Sequence, residues 1–285
     1  MFVTVTFAKV FHSQEVLDIL KNIPDMTWTP AIPNEFDVVL QSNNNRATQD
    51  SPSRTANKVR YVGPTPAEFS WLHSESTCMT VKNQVACGSS WAFSAVGSLS
   101  DNLCINGNKQ KVEYSEQFQI SCDTANNGCN AESNYMEKSM WFLNKLGVPT
   151  EQCVSYKSGS NSLRGKCPFQ CDDGTKLALV KSKSYENVCL GEESIMNALK
   201  FGTLQASVTV YTDLAFYKSG IYQHKYGKVE GHQFLVIVGY GSEDGVNYWI
   251  VRNSWGTSWG ENGYLRILRG QNECGIEQEC YLQKV

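Results

Sequence analysis

Eleven cysteines in 285 residues constrain this chain more than any other feature. Cysteines in such number, mostly outside zinc-type pair spacing, form disulfides, which persist in oxidising compartments. Cys167 and Cys171 stand close together, but the whole chain has only four histidines and none lies near that pair. A metal centre is set aside on ligand spacing, and neither metal nor cofactor is expected. The expected route is secretory, towards a lysosome, a lysosome-like vesicle or the outside of the cell. A net charge of −3 without a long basic run argues against nucleic acid as a partner. No apolar run approaches the roughly 18 residues that mark a bilayer-crossing helix.

Two halves of different character follow an N-terminal region. Residues 1–8 are apolar, short and without a basic lead, so they read as the remnant of a trimmed signal peptide or as a β-like segment. Ser13 is placed to cap a short helix ending at Lys21, with Val16, Leu17 and Leu20 as its apolar stripe. Pro24, Pro30 and Pro33 break that pattern. Residues 41–60 are polar and lack periodic hydrophobes, the composition of an exposed linker open to proteases. Beyond Trp71 the reading is helical. One helix is expected over residues 91–103, with Phe93, Val96 and Leu103 on one face. Another covers 134–146 and stops at Gly147. The second half turns to strands over residues 233–239, 247–252 and 264–268, the last following a turn at Gly263. A helical half followed by a β half is an α+β arrangement.

The stretch Asn83-Gln84-Val85-Ala86-Cys87-Gly88-Ser89-Ser90-Trp91-Ala92-Phe93 resembles the nucleophile segment of papain-family cysteine peptidases, whose signature runs Cys-Gly-Ser-Cys-Trp. Ser90 stands where that family carries its catalytic cysteine. A thiol loses its proton readily beside a helix N-terminus and an imidazolium; an aliphatic hydroxyl does not and needs a base during attack. The resemblance implies a two-lobed papain-like fold with the cleft between the lobes. It makes His232 the base, Asn253 the residue orienting the imidazole, and Gln84 an oxyanion donor. Trp255 would shield the Asn–His bond. Gly88, Ala131, Glu132, Ser207, Gly231, Trp255 and Glu279 would line the substrate cleft. It also implies disulfides Cys87–Cys129, Cys78–Cys104, Cys122–Cys167, Cys153–Cys171 and Cys189–Cys280, with Cys274 free.

The likeness is strongest to the cathepsin B branch, through Val210-Tyr211-Thr212-Asp213, Tyr217-Lys218-Ser219-Gly220-Ile221-Tyr222-Gln223-His224 and Cys274-Gly275-Ile276-Glu277. It implies that residues 1–60 are a propeptide, including Thr27-Trp28 and Asn34-Glu35-Phe36, and that residues 61–285 are the peptidase domain. An ordinary N-terminal subdomain is the alternative reading. Peptides or proteins would be the substrates, the propeptide an inhibitor, and a monomer the expected state. Glu279 matches the glutamate at the base of the cathepsin B S2 pocket, which implies tolerance for arginine there. Departures are as informative. The interval between Cys153 and Cys167 is short and holds no histidine, so the occluding loop and its exopeptidase activity are expected to be absent. Ala131 and Glu132 replace glycines that let substrate backbone approach. Gln233 replaces the usual small residue after the histidine.

Two functions follow. One is a cathepsin B-like endopeptidase precursor with its nucleophile replaced by Ser90 and inactive as written, which Ser90→Cys would restore. The other is a natural non-catalytic homologue that binds peptides or a protein partner through the cleft.

Overall fold

The computed structural model describes residues 13–32, 56–130 and 136–285. In chain order the helices are α1 Gln14–Lys21, α2 Trp71–Ser74, α3 Ser90–Asn106, α4 Glu116–Cys122, α5 Met136–Lys145, α6 Ser158–Asn161 and α7 Glu192–Ala198. The strands are β1 Trp28–Pro30, β2 Asn57–Lys58, β3 Phe69–Ser70, β4 Ser184–Asn187, β5 Leu204–Tyr211, β6 Tyr217–Tyr222, β7 Val229–Glu243, β8 Val246–Arg252, β9 Tyr264–Leu268 and β10 Cys280–Lys284. Pairing runs in the order β1-β6-β9-β8-β7-β5-β10-β4-β2, with β3 also on β7. The α+β reading holds, with helices α3 to α5 on one side and the large sheet on the other.

Two cores match the two halves. One gathers Trp91, Phe93, Leu99, Phe118, Met140 and Phe142 around α3, together with Phe234 and Tyr281 from the sheet. The other gathers Val208, Leu235, Ile237, Trp249, Trp255 and Trp259 inside the sheet half. Helix α3 packs on α4 and α5 and also on β5, β7 and β10. It is therefore buried on nearly every side, which explains why its sequence shows no single apolar stripe. It runs three residues further than expected, to Asn106. Gly147 follows α5 at positive φ, +85°, where a side chain would be strained.

The five expected disulfides form, Cys189–Cys280 included, and Cys274 is free. Ser13 caps α1 through Val16 N–H at 3.4 Å, with Leu17 and Leu20 buried. The expected linker is shorter at its C-terminal end than its composition implies. Asn57 and Lys58 pair with Glu186 and Asn187 of β4, and Ala56 N–H donates to Glu137 Oε1 at 2.8 Å. Residues 1–8, 34–36 and 41–55, and the start of the 134–146 helix, lie outside the described residues. Among the described residues, no helix is long and apolar enough to cross a membrane.

The two halves are bolted by a buried ion pair. Asp101 of α3 is fully buried and accepts from both terminal nitrogens of Arg252 on β8, at 3.0 and 2.7 Å. Lys111 and Thr203 add bonds at 2.6 and 3.1 Å. Burial opposes the charge on Asp101, yet Arg252 and Lys111 hold its carboxyl below the ordinary range. Removing one partner leaves an uncompensated buried charge, which costs about 3–5 kcal/mol. Asp101→Ala is expected to lose about that much in chemical denaturation; a loss under about 1 kcal/mol would show that the bolt carries little.

Candidate active site

Ser90 is the first residue of α3 and has no exposed surface. Ser89 begins the turn by accepting from Ala92 and Phe93 N–H at 2.9 and 3.1 Å. Free backbone N–H groups at such a helix start favour negative charge. The disulfide Cys87–Cys129 and the Trp91 Nε1 bond to Gly128 O at 3.0 Å fix the segment against the neighbouring loop. The polar contact that the described residues give to Ser90 Oγ is the backbone N–H of Phe234, at 3.2 Å. That group only donates, so it cannot take the hydroxyl proton.

Strand β7 is paired on both edges. Against β5, Thr209 faces His232, Val208 faces Gln233 and Ser207 faces Phe234; against β8, Val236 faces Arg252. Side chains alternate along a strand. Leu235 and Ile237 enter the sheet core, whereas Phe234 enters the helical core. The alternation puts Gln233 on the side of Leu235 and His232 on the other.

The residue that meets Asn253 is accordingly Gln233. Its Nε2 donates to Asn253 Oδ1 at 2.9 Å, to Gln84 Oε1 at 2.9 Å and to Ser254 Oγ at 3.3 Å. Asn253 Oδ1 also accepts from Ser254 N–H at 2.8 Å, so its two acceptor positions are taken. The expectation that Asn253 orients the His232 imidazole is therefore corrected, and the alternation of side chains along β7 is the reason. His232 is half-buried on β7.

Gln84 is fully buried. Its Nε2 donates to Cys87 O at 3.0 Å, and its Oε1 also accepts from Ser254 Oγ at 2.7 Å. Tyr156, which sequence reasoning missed, donates to Gln84 O at 2.6 Å and lies 3.3 Å from Ser89 Oγ. Trp255 is buried and meets Trp259 edge-on at 4.9 Å. Gly88 and Gly231 are buried, and Ser207 is half-buried. Glu279 Oε1 accepts from Tyr281 hydroxyl at 3.0 Å. Ala131 and Glu132 lie outside the described residues. Gln233 left two signals in the sequence: it directly abuts the buried run, and it is large where a small residue was expected.

The sequence model of the papain family cysteine proteases matches residues 65–284. This chain belongs to the papain family. Its cathepsin B-like relatives include CP2 of Giardia intestinalis, 43% identical over 221 residues, covering 76% of this chain and 73% of that protein. CP1 of the same organism is 38% identical over 270 residues, covering 89% and 88%. Cathepsin B of Dictyostelium discoideum is 30% identical over 285 residues, covering 91% and 88%. Among solved structures, procathepsin B S9 of Trypanosoma congolense superposes with a TM-score of 0.85 at 26% identity, covering 96% of this chain and 99% of that one. The family and its precursor fold stand as the sequence implied.

A buried charge cluster in this papain-family chain supports the loop that carries Gln84. Lys82 Nζ bonds both Glu116 oxygens at 2.9 Å and reaches Glu113 at 3.1 Å. Burial opposes the Lys82 charge, but these carboxylates raise its pKa. Glu151 accepts from Tyr156 N–H at 2.8 Å. Its pKa is raised from 4.5 to about 7 by burial and by the Glu116 charge. The folded protein thus keeps a proton that the unfolded chain releases. This group favours folding below about pH 4.5, and that contribution is lost as pH rises to about 7. Glu151→Gln should match the parent melting temperature at pH 4.5 and exceed it at pH 8. A difference independent of pH would contradict this assignment.

Proposed function

We propose that this chain is a papain-family protein without peptide hydrolysis, which uses its cleft to hold an extended peptide or protein segment. The observation that carries this reading is the Gln233 amide on Asn253 Oδ1, in the place the family gives to its base. A primary amide neither accepts a proton nor carries positive charge at neutral pH, so it cannot serve as general base. Ser90 adds a second loss, since its hydroxyl needs such a base to attack. The two changes fall on the two groups the chemistry requires, while Gln84 and Asn253 stay in place as parts of an amide cluster.

The cleft would be bordered by Gly88, Ser207, Gly231, Trp255 and Glu279, with Ala131 and Glu132 on its non-prime side. Residues 1–60 would act as the propeptide of the domain at 61–285, on a secretory or lysosomal route. The short Cys153 to Cys167 interval is consistent with the absence of dipeptide release from free C-termini. The alternative, a precursor that lacks only its thiol, draws support from the retained Gln84 and Asn253. The two readings part on one experiment.

In protein cut between residues 41 and 55, Ser90→Cys alone is expected to show no turnover of short peptides carrying Arg or Phe at the second position before the cut. Ser90→Cys combined with Gln233→His is expected to hydrolyse them. A positioned acid–base group contributes about 10²–10⁴-fold in rate, and that is the expected separation. Comparable turnover by the single and double variants would establish the alternative and overturn the non-catalytic reading.

A further inference from the structure

We infer that residues 13–32 are a permanent part of the fold, held by uncharged contacts that acidification does not release. This goes beyond the proposed function and does not depend on it, because the contacts lie on residues 216–223 and involve neither Ser90 nor Gln233.

The segment is built into the sheet-side core. Leu17, Leu20 and Trp28 are 6%, 0% and 4% exposed and belong to the same cluster as Leu214, Phe216 and Trp259. Strand β1 extends the sheet edge, with Trp28 facing Gly220 and Thr29 facing Ser219. Hydrogen bonds tie it down. Ile221 N–H donates to Thr27 O at 2.9 Å, and Ala31 N–H to Phe216 O at 2.8 Å. Thr27 Oγ1 donates to Ile221 O at 2.6 Å, and Trp28 Nε1 to Gln223 O at 2.9 Å.

The receiving surface is shaped for this segment. The Trp28 ring lies 6.1 Å from that of Tyr217 and 5.3 Å from that of Tyr222. Gly220 lies between them in the strand at φ +98°. A Cβ there would meet Thr27 O at 2.6 Å and Trp28 Cα at 2.7 Å, so only glycine admits so close an approach. Tyr217 hydroxyl donates to Gly220 O at 2.7 Å, and Glu261 receives Gly220 N–H at 3.0 Å.

Charge is kept off the contact. The segment's own ionisable groups, Glu15, Asp18, Lys21 and Asp25, are exposed. Among the described residues, no ion pair joins residues 13–32 to the rest of the chain. The charged groups around the receiving surface are Asp213, Lys218, His224, Glu261 and Glu273. Asp213 accepts from Tyr222 hydroxyl at 2.7 Å and from Lys225 and Tyr226 N–H at 2.7 and 2.9 Å. His224 Nδ1 lies 3.1 Å from Asp213. Glu273 receives His224 N–H at 3.0 Å, Glu261 also pairs with Arg266, and Lys218 is exposed. No acid–base partner of the segment itself is lost on acidification.

The test is a full-length protein with a sequence-specific protease site introduced between residues 41 and 55, cut and then run on size exclusion at pH 7.5 and pH 4.5. The N-terminal fragment is expected to co-elute with the body at both pH values. Release at pH 4.5, with retention at 7.5, would overturn the inference, and so would release at both. In the same background Trp28→Ala should weaken retention at least tenfold at both pH values. Retention unchanged by Trp28→Ala would mean that the described contacts do not hold the segment.

Discussion

Strand β7 is gripped along both edges, by β5 on one side and β8 on the other, and that grip decides which of its side chains reaches Asn253. Because side chains alternate with a period of two, register acts as a switch: a shift by one residue exchanges the entire set of side chains on each face. The core fixes the setting. Leu235 and Ile237 are committed to the sheet-side core and Phe234 to the helical core, and burying each such side chain is worth about 1.5–3 kcal/mol. Sliding the strand to bring His232 onto Asn253 would expel those side chains from their cores. The site adapts to the packing.

What occupies the site is a cluster of amide and hydroxyl bonds. Gln233, Gln84, Asn253 and Ser254 are all buried and bond one another across three separate segments. In a low-dielectric interior, hydrogen bonds of this kind hold one geometry firmly, but none of the four groups shuttles protons near neutral pH. The same residues that would align an imidazole here lock a neutral side chain. Below them, the Asp101–Arg252 pair joins α3 to β8, so the two halves meet at a fixed angle whether or not chemistry occurs between them.

Much of this was legible in the sequence. The Cys87-Gly88-Ser89-Ser90-Trp91 segment carries its own local signal, and the cysteine pairing followed from the family likeness. Strand β9 appeared at its expected residues because Gly263 marks its start. The base position was misread because His232 and Gln233 are neighbours, and residue type alone favours the histidine. Only the pairing of β7 with β5 and β8 reveals which of the two faces Asn253. Tyr156 was invisible for a similar reason: its partners Gln84 and Ser89 are far away in the chain. Asn57 and Lys58 read as linker because polar residues at a sheet edge look like polar residues in a loop.

The central claim is that no imidazole serves position 90, and the ionisation of a thiol placed there measures it directly. The thiolate absorbance of Ser90→Cys near 240 nm, taken as a difference from the parent, should rise with a midpoint at or above the ordinary cysteine value of about 8.5. Adding Gln233→His should move that midpoint down by several units, as an imidazolium partner does in this chemistry. A single Ser90→Cys variant whose thiolate is already formed below about pH 6, and whose midpoint Gln233→His does not lower further, would contradict the account, because a cationic neighbour such as His232 would then already add to the helix start.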